Sequence, residues 1–263
     1  MLCAGSAAHA PTSSGFMTLR IISWNLRHGG RGRAAAIARQ LSEWKPDVLV
    51  LQEYRDVPEI QRGVTDSGLN HVLSPRHDSE RRNRVLIASK HRLKRSPMPV
   101  TPQPERVAAA RVLTGRQALD IIAVHIPNRN SGVKYEFLNA LTTHLGVPRS
   151  RRMLLLGDMN SGIKGTDDET SFFNRRESDW TASFSRAPWC DAFRRMHGDL
   201  RAFSWRSPNA GNGFRIDHAF VTSSLASQLT RCEYLWSATD GIANSDHAAL
   251  LLELDATLDP VSE

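Results

Sequence analysis

Polar side chains with catalytic or metal-binding potential stand beside several apolar runs of this chain. Asp246 and His247 lie side by side just before the apolar run 248–254. Others stand at the end of, or within, further apolar runs, namely Asn25, Glu53, His125, Asp158, Asn160 and Asp217. Strand ends that converge on one edge of a sheet can gather such residues into one pocket. Carboxylates and amides with one or two imidazoles suit a hard divalent cation and a phosphate ester.

Glu53 and Asn25 each follow an apolar run directly. A carboxylate such as Glu53 is costly to bury without a partner, and a bound cation would be such a partner. A solvated strand end explains Glu53 equally simply when it is taken alone. Asn25 is open to a second interpretation as well, because Asn is common in turns.

Gly157-Asp158-Met159-Asn160 follows another apolar run. Residues two apart in extended chain point to the same side, about 6 to 7 Å from each other, so Asp158 and Asn160 are expected on one face. A carboxylate and an amide placed in this way can polarise and orient a water molecule. A simple turn remains an equally good interpretation of this segment.

Asp217 is predicted to lie in the middle of a strand over residues 214–222, on the same face as Arg215. A carboxylate in that position should be paired, and His247 is a fitting partner. A carboxylate on one ring nitrogen fixes the tautomer and favours the imidazolium form. That cation could stabilise charge developing on a phosphoryl oxygen. His218 is predicted to point to the opposite face and to be structural.

The elements that must position these residues occur twice in one order. The predicted order is strand 19–24, helix 33–45 and strand 47–51, and later strand 119–124, helix 133–145 and strand 153–156. Further strands are predicted at 85–89, 107–113, 203–206, 231–235 and 248–254, and residues 161–202 are predicted to be mostly loop with a short helix at 191–196. A layered α/β sandwich with two sheets inside and helices outside would bury these runs.

Length and composition favour one domain. The chain has 263 residues, and we predict a disordered N-terminal tail at 1–17, a single domain at 18–256 and a C-terminal tail at 257–263. The formal net charge of +7 favours a polyanionic partner, with general solubility as the alternative. No obligate protein partner is indicated, so we expect a monomer.

Cysteine usage and hydropathy bear on location. Cys3, Cys190 and Cys232 have no paired spacing, so neither a zinc motif nor a disulfide framework is expected. A reducing, cytoplasmic setting fits best. No apolar stretch approaches the roughly 18 residues of a membrane helix, and no secretion signal is recognised, so no membrane association is expected.

Five short segments together resemble the endonuclease/exonuclease/phosphatase superfamily, typified by exonuclease III, abasic-site endonucleases and deoxyribonuclease I. The segments are Ser23-Trp24-Asn25, Leu51-Gln52-Glu53, Gly157-Asp158-Met159-Asn160, Arg215-Ile216-Asp217-His218 and Ser245-Asp246-His247. They follow the family's order over nearly the whole chain. The resemblance implies a four-layer α/β/β/α sandwich with two mixed, mainly antiparallel sheets, and phosphodiester hydrolysis that depends on Mg²⁺ or Mn²⁺.

The resemblance also implies roles for these residues. Glu53 is similar to the main metal ligand, with Asn25 close to it and Asp246 as a further contact. Asp158 resembles the residue that activates or orients the attacking water, helped by Asn160. In the same comparison the phosphate-contacting residues are His247, held by Asp217, and His125.

Two features bear on the substrate. Trp205 and Phe214 lie in segments that resemble the exonuclease III and abasic-endonuclease branch, where they would wall a pocket for an extrahelical sugar, although core packing is equally compatible. His125 precedes Pro127 and Asn128, a candidate substrate contact, at a place where that branch carries Tyr. Histidine there resembles deoxyribonuclease I and the phosphatase and sphingomyelinase branches.

Three functions therefore remain open. The first is a DNA nuclease, acting at abasic sites or at 3′ ends, for which basic clusters at 81–84, 91–95, 149–152 and 175–176 would track phosphates. The second is a phosphodiesterase or phosphatase for a lipid or inositol phosphate. The third is a binding module that has lost catalysis, although all the expected polar positions are filled.

Overall fold

Two six-stranded sheets lie face to face in the part of the chain that the structure describes. The computed structural model describes residues 17–256 apart from 77–78, 80–81, 115–116 and 147–151. The predicted tails lie outside the described residues, except for Met17, which begins the first strand. None of the described helices is long and apolar enough to cross a membrane.

Each sheet is mixed but mainly antiparallel. The first contains β1 (Met17–Asn25), β2 (Val48–Tyr54), β3 (His71–Leu73), β4 (Arg84–Ser89), β13 (Leu229–Leu235) and β16 (Ala249–Ala256), in the order β13-β16-β1-β2-β4-β3. The second contains β5 (Leu93–Arg95), β6 (Val107–Thr114), β7 (Gln117–His125), β8 (Met153–Asp158), β9 (Trp189–Asp191) and β12 (Asp217–Thr222), in the order β5-β6-β7-β8-β12-β9. Only the β1–β2 and β7–β8 pairs of these described sheets are parallel.

Two small hairpins, six α-helices and three short 3-10 helices accompany the two sheets in the described residues. The hairpins are β10 (Trp205–Arg206) with β11 (Gly213–Phe214), and β14 (Ala238–Thr239) with β15 (Ile242–Ala243). The helices are α1 (Ala34–Trp44), α2 (Pro58–Asp66), α3 (Lys134–His144), α4 (Arg175–Ser183), α5 (Ala192–His197) and α6 (Ser223–Ala226).

Side chains that point alternately to the two faces of each sheet hold the four layers together. Side chains such as Ile21 and Val50 pack between the two sheets. Their neighbours Ile22 and Leu49 point the other way, into the core beneath α1 and α2. In the second sheet, Ile122 and similar residues pack beneath α3 and α4. Successive side chains of a strand point to opposite faces, so a sheet covered on both faces needs these continuous apolar runs. The predicted α/β/β/α sandwich is confirmed.

The two predicted strand–helix–strand units position the candidate residues. The units are β1–α1–β2 and β7–α3–β8, and the strands of each unit are parallel. Asn25 and Glu53 therefore lie at the same end of the first sheet, and His125 and Asp158 at the corresponding end of the second. Helices predicted at 33–45 and 133–145 agree with α1 and α3 to within one residue at each end.

The single strand predicted over residues 214–222 is wrong. Phe214 ends β11 in the small β10–β11 hairpin, and the chain enters the second sheet only at Asp217, which begins β12. The cause is a side chain far away in sequence, because Ser204 Oγ accepts both the Ile216 and the Asp217 amide at 3.0 Å. Arg215 N instead donates to the Asp167 carbonyl at 2.7 Å.

The prediction that residues 161–202 are mostly loop missed α4. This helix begins with a capping box, in which Asn174 Oδ1 accepts the Glu177 amide and Glu177 Oε2 accepts the Asn174 amide. The signal was present in the sequence as Asn-x-x-Glu.

Candidate active site

The backbone at Glu53 directs its carboxylate out of the first sheet. Glu53 has a left-handed φ of 52°, and the register between β2 and β4 shifts between Leu51 and Tyr54. Such a bulge re-aims a side chain at the cost of local strain. Glu53 Oε2 accepts the His28 amide at 2.8 Å and Asn83 Nδ2 at 2.9 Å. The other oxygen, Oε1, lies 3.9 Å from His125 Nε2, beyond hydrogen-bond distance.

Asp158 lies opposite, at the end of β8, and is held on both oxygens. Asn25 Nδ2 donates to Asp158 Oδ2 at 3.0 Å, and the Asn160 amide donates to Oδ1 at 2.9 Å. His125 Nε2 lies 3.6 Å from the same Oδ2. The sandwich thus brings the ends of β1, β2, β7 and β8 together around one carboxylate. The Asn160 side-chain amide donates to the Ile126 carbonyl at 2.8 Å, so this residue fixes the turn that carries Asp158.

Asp217 and His247 form a buried pair beside Asp158. His247 Nδ1 lies 2.8 Å from Asp217 Oδ2, and both side chains are buried. Asp217 is the antiparallel register partner of Asp158. His247 is fixed from its backbone, because its carbonyl accepts the Trp24 indole N–H at 3.0 Å. With Nδ1 engaged, Nε2 is the ring nitrogen left to contact a substrate.

Burial and neighbouring charges shift the pKa values of Asp158, His247 and His125 away from their ordinary values. Burial raises the pKa of Asp158 to about 7, and the Asp217 carboxylate adds to that rise. Burial alone would lower the pKa of His247, but the Asp217 carboxylate outweighs it and raises that pKa to about 9. Burial, and then the nearby Arg106 guanidinium, hold the pKa of His125 well below its usual range. Near neutral pH the site therefore contains one imidazolium, one neutral imidazole and a carboxyl that can exchange a proton.

The site is suited to a cation. Ligand atoms of Asp158, Asp217 and His247 all lie within 4.8 Å of one another. The hydrogen bond between the last two argues against His247 as a ligand, because an imidazolium has no free lone pair. Glu53 Oε1 offers a hard oxygen donor instead, with the Asn25 amide oxygen nearby. Burial is the main cause of the raised pKa of Asp158, and the Asp217 carboxylate adds negative charge that a divalent cation would offset. We therefore favour the Glu53 side of the site as its location.

The remaining predicted residues lie around this centre. Asp246 accepts the Trp205 indole N–H at 3.4 Å and lies 3.6 Å from Arg27. The Trp205 ring lies 6.4 Å from the His247 ring and is partly exposed. Phe214 is buried against other aromatic rings, which is core packing in form, although it also contacts Trp205. Asn128 has an exposed side chain just beyond Ile126, and no contact in the described structure joins it to the centre.

Sequence reasoning missed the residues that hold the centre in place. Asn83 positions Glu53 while its own Oδ1 accepts Arg55 Nε at 2.7 Å. Arg106 Nη1 donates to the His125 carbonyl at 3.3 Å, beside the acidic centre. Ser245 Oγ donates to the Asn25 carbonyl at 2.6 Å. Asn83 was part of a basic cluster and Ser245 of the Asp-His motif, but Arg106 gave no sequence signal.

The predicted basic clusters differ in how free their charges are. Arg82 pairs with Glu105 at 2.9 Å, and Arg84 pairs with Asp56. Arg175 also lies near a carboxylate, 3.4 Å from Asp179, but its side chain is 95% exposed, where such a pair is weak. Residues 149–151 of the third cluster lie outside the described residues. A continuous phosphate-tracking surface made of all four clusters therefore stays a prediction.

Comparison with known proteins agrees with this geometry. The model of the Endonuclease/Exonuclease/phosphatase family matches residues 22–241. An AP endonuclease from Archaeoglobus fulgidus is 21% identical, with a TM-score of 0.74 over 90% of this chain and 100% of that chain. A Neisseria 3′ phosphatase bound to a product DNA hairpin has the same identity and coverage and a TM-score of 0.73. An AP endonuclease from Leishmania major is 18% identical, with a TM-score of 0.70 over 95% of this chain and 92% of that chain. Comparison with curated protein sequences finds no match.

The matched region covers most of the chain. The chain belongs to the endonuclease/exonuclease/phosphatase family. It is therefore a phosphoesterase. The solved structures are less than 25% identical to this chain, so their likeness supports the fold alone.

Proposed function

We propose that this protein hydrolyses phosphodiester bonds in DNA with the help of Mg²⁺ or Mn²⁺, as a nuclease of the exonuclease III or abasic-endonuclease kind. The observation that carries the proposal is the buried Asp217–His247 pair beside Asp158. It places an imidazolium and a carboxyl of pKa about 7 at one sheet edge. That combination serves a reaction in which water loses a proton while a phosphoryl group gains charge.

In this proposal Asp158 accepts a proton from the attacking water. Its pKa of about 7 matches a general base that works near neutral pH. Asn25 and Asn160 hold its two oxygens, so the carboxylate cannot rotate away. His247 directs its Nε2–H at a non-bridging phosphate oxygen, while Asp217 keeps the ring charged and oriented. The neutral His125 lies between Glu53 and Asp158, where it can donate a further hydrogen bond to the phosphate.

Glu53 would hold the metal ion, with Asn25 beside it and Asp246 as a candidate further contact. When bound, the ion would offset negative charge on the attacking or leaving oxygen. These residues fit a divalent cation because their oxygen atoms are suitable donors, and because the Asp217 carboxylate lies beside Asp158. The ordered Glu53 side chain, fixed through Asn83 and the His28 amide, needs no rearrangement to present its free oxygen.

Several features support nucleic acid as the substrate. Trp205 presents a partly exposed indole beside His247, where a base or sugar could pack. The formal net charge is +7, and Arg106 lies next to the acidic centre. The family name and the DNA-acting proteins with this fold point in the same direction. We further propose a monomer in a reducing, cytoplasmic compartment, in keeping with the free thiols of Cys190 and Cys232.

The alternative is a phosphodiesterase or phosphatase for a lipid or inositol phosphate. It is favoured by histidine at position 125, which packs directly against Asp158. A cleavage panel separates the two proposals. Single-stranded, nicked, abasic and intact duplex DNA, RNA, inositol phosphates and a phosphocholine lipid are each incubated with Mg²⁺ and with EDTA. Metal-dependent strand cleavage is expected, whereas phosphate or phosphocholine release with untouched nucleic acid would establish the alternative.

A further inference from the structure

A groove with aromatic walls opens between the α5 region and the end of β13. Its cavity volume is ≈ 530 Å³. Phe203 and Leu200 lie on one side, and Tyr234 and Trp236 lie on the other. Trp236 is 51% exposed and Leu200 is 55% exposed, so the two walls together present apolar surface to solvent. The catalytic arrangement proposed above uses none of these residues.

This groove opens at the same edge as the candidate active site. The last residue of β13, Leu235, pairs with Ala249 of β16, so Trp236 leaves the sheet beside the segment that carries His247. On the opposite wall, Phe203 lies two residues before Trp205, whose ring faces the His247 ring at 6.4 Å. A polymer held at the catalytic centre can therefore continue into the groove.

Positive charge flanks the aromatic rings. The guanidinium carbons of Arg201 and Arg206 lie 5.6 and 5.5 Å from the Phe203 ring centroid, and both side chains are exposed. Arg201 donates to the Asp168 carbonyl at 2.7 Å and Arg206 to the Gly211 carbonyl at 3.2 Å. A guanidinium has five N–H donors, so several remain for a ligand on each arginine.

Acidic side chains near the groove do not cancel this charge. Glu233 lines the groove, but its carboxylate lies 2.6 Å from the Arg231 guanidinium. Glu169 lies 4.0 Å from Arg206, and both residues are exposed to solvent, where such a pair is weak. Aromatic surface combined with surplus arginine fits a ligand that has flat rings and regularly spaced negative charges.

We propose that this groove binds unpaired nucleotides that flank the scissile phosphodiester, and this inference rests on the proposed function. Trp236 stacks on a base, while Arg201 and Arg206 contact the adjoining phosphates. Bases paired in a duplex cannot offer their faces to a ring at the surface, so the occupant is single-stranded. A peptide would use the aromatic walls but not the two arginines, unless it were strongly acidic.

Binding measurements test the groove apart from catalysis. Fluorescence anisotropy is recorded for a labelled single-stranded oligonucleotide and for a blunt duplex, with the wild-type protein and with Trp236→Ala and Arg206→Ala. The matched controls are Ile242→Ala, an exposed apolar residue on the β14–β15 hairpin, and Arg62→Ala, an exposed arginine on α2. Loss of one stacked base should weaken single-strand binding about 5- to 150-fold in Trp236→Ala. Duplex binding and both controls should change little.

Hydrolysis is then followed on a p-nitrophenyl phosphodiester and on DNA substrates with single-stranded tails of increasing length. Tails should lower KM for the wild type but not for Trp236→Ala, and kcat should stay the same. If single-strand binding, or the effect of the tails on KM, is equal in wild type and Trp236→Ala, the groove does not bind unpaired nucleotides, even if hydrolysis proceeds. Trp236-dependent binding without hydrolysis of any phosphodiester supports the groove and refutes the proposed function.

Discussion

Replacing Asp217 with Asn should disable His247 without removing it. The two side chains are joined at 2.8 Å in a buried place, and the amide keeps the shape of the carboxylate while losing its charge. The Asp217 carboxylate outweighs burial and raises the pKa of His247 to about 9. Without it, burial opposes the imidazolium with much less compensation. His247 should therefore lose its proton within the working pH range.

The size of this effect follows from the two pKa values. The pKa of His247 should fall from about 9 toward its ordinary 6.5 or lower. A change of that size corresponds to about 3.4 kcal/mol. At pH 7.5 the imidazolium fraction would drop from nearly all molecules to about one in ten or fewer. The pKa of Asp158 should also fall, because the Asp217 charge contributes to its rise.

The assay is kcat/KM for a p-nitrophenyl phosphodiester as a function of pH. The alkaline limb of the profile should move from about 9 to about 6.5 or below in Asp217→Asn, with at least about a tenfold lower rate at pH 7.5. The acidic limb should move to lower pH as well. Asp120→Asn is the matched control, because it loses an ion pair with Arg111 on the outer part of the second sheet. An alkaline limb that stays near pH 9 in Asp217→Asn would refute the reasoning.

Three further perturbations test the metal site, the buried charges and the close packing. Glu53→Gln should raise the Mg²⁺ concentration needed for half-maximal activity by about tenfold or more, measured by metal titration, and an unchanged requirement would remove Glu53 from the metal site. Burial alone would raise the pKa of Asp191, but Arg215 at 2.7 Å holds it well below its usual range. That stability is present above the ordinary carboxyl pKa of 3.8 and is lost as pH falls below it. The unfolding free energy from urea denaturation should thus decline below pH 4. Asp191→Asn should lower that free energy by about 3 to 5 kcal/mol at neutral pH and make the decline shallower. An equal decline in both proteins would contradict this. Gly157→Ala should cost about 2 kcal/mol or more in the same measurement, because Gly157 has φ 134° and an added Cβ would meet the Val124 carbonyl oxygen at 2.0 Å, so a native-like stability would contradict the packing.

Local sequence patterns were sufficient for the parts of the fold that depend on neighbours in sequence. The helix at α1 and the strands on either side of it follow from apolar spacing and from Pro46, which lies just beyond the helix. The polar residues at the ends of those strands were identified for the same reason. Such patterns indicate which face of an element is buried, because the spacing of apolar residues along the chain follows the period of the helix or strand.

Contacts between distant residues decided what those patterns could not. The break in the strand before Asp217 depends on Ser204, and nothing near Asp217 in sequence announces it. The orientation of Glu53 depends on Asn83, which is 30 residues away. The buried ion pair of Arg215 with Asp191 likewise needs the folded chain to bring two charges together.

The amino-acid sequence by itself determined most of the long strands, the polar residues at their ends and that the chemistry of those residues suits a phosphoester. Tertiary structure alone decided that Asp158 faces Asp217 across β8 and β12, and that Asn83 and the His28 amide hold Glu53. The sequence indicated His247 as a partner for Asp217, and the folded chain joins the two at 2.8 Å. The physical reason is that a side chain's pKa depends on the water it loses and on the charges near it. Those quantities exist only once the two sheets have packed and their edges have met.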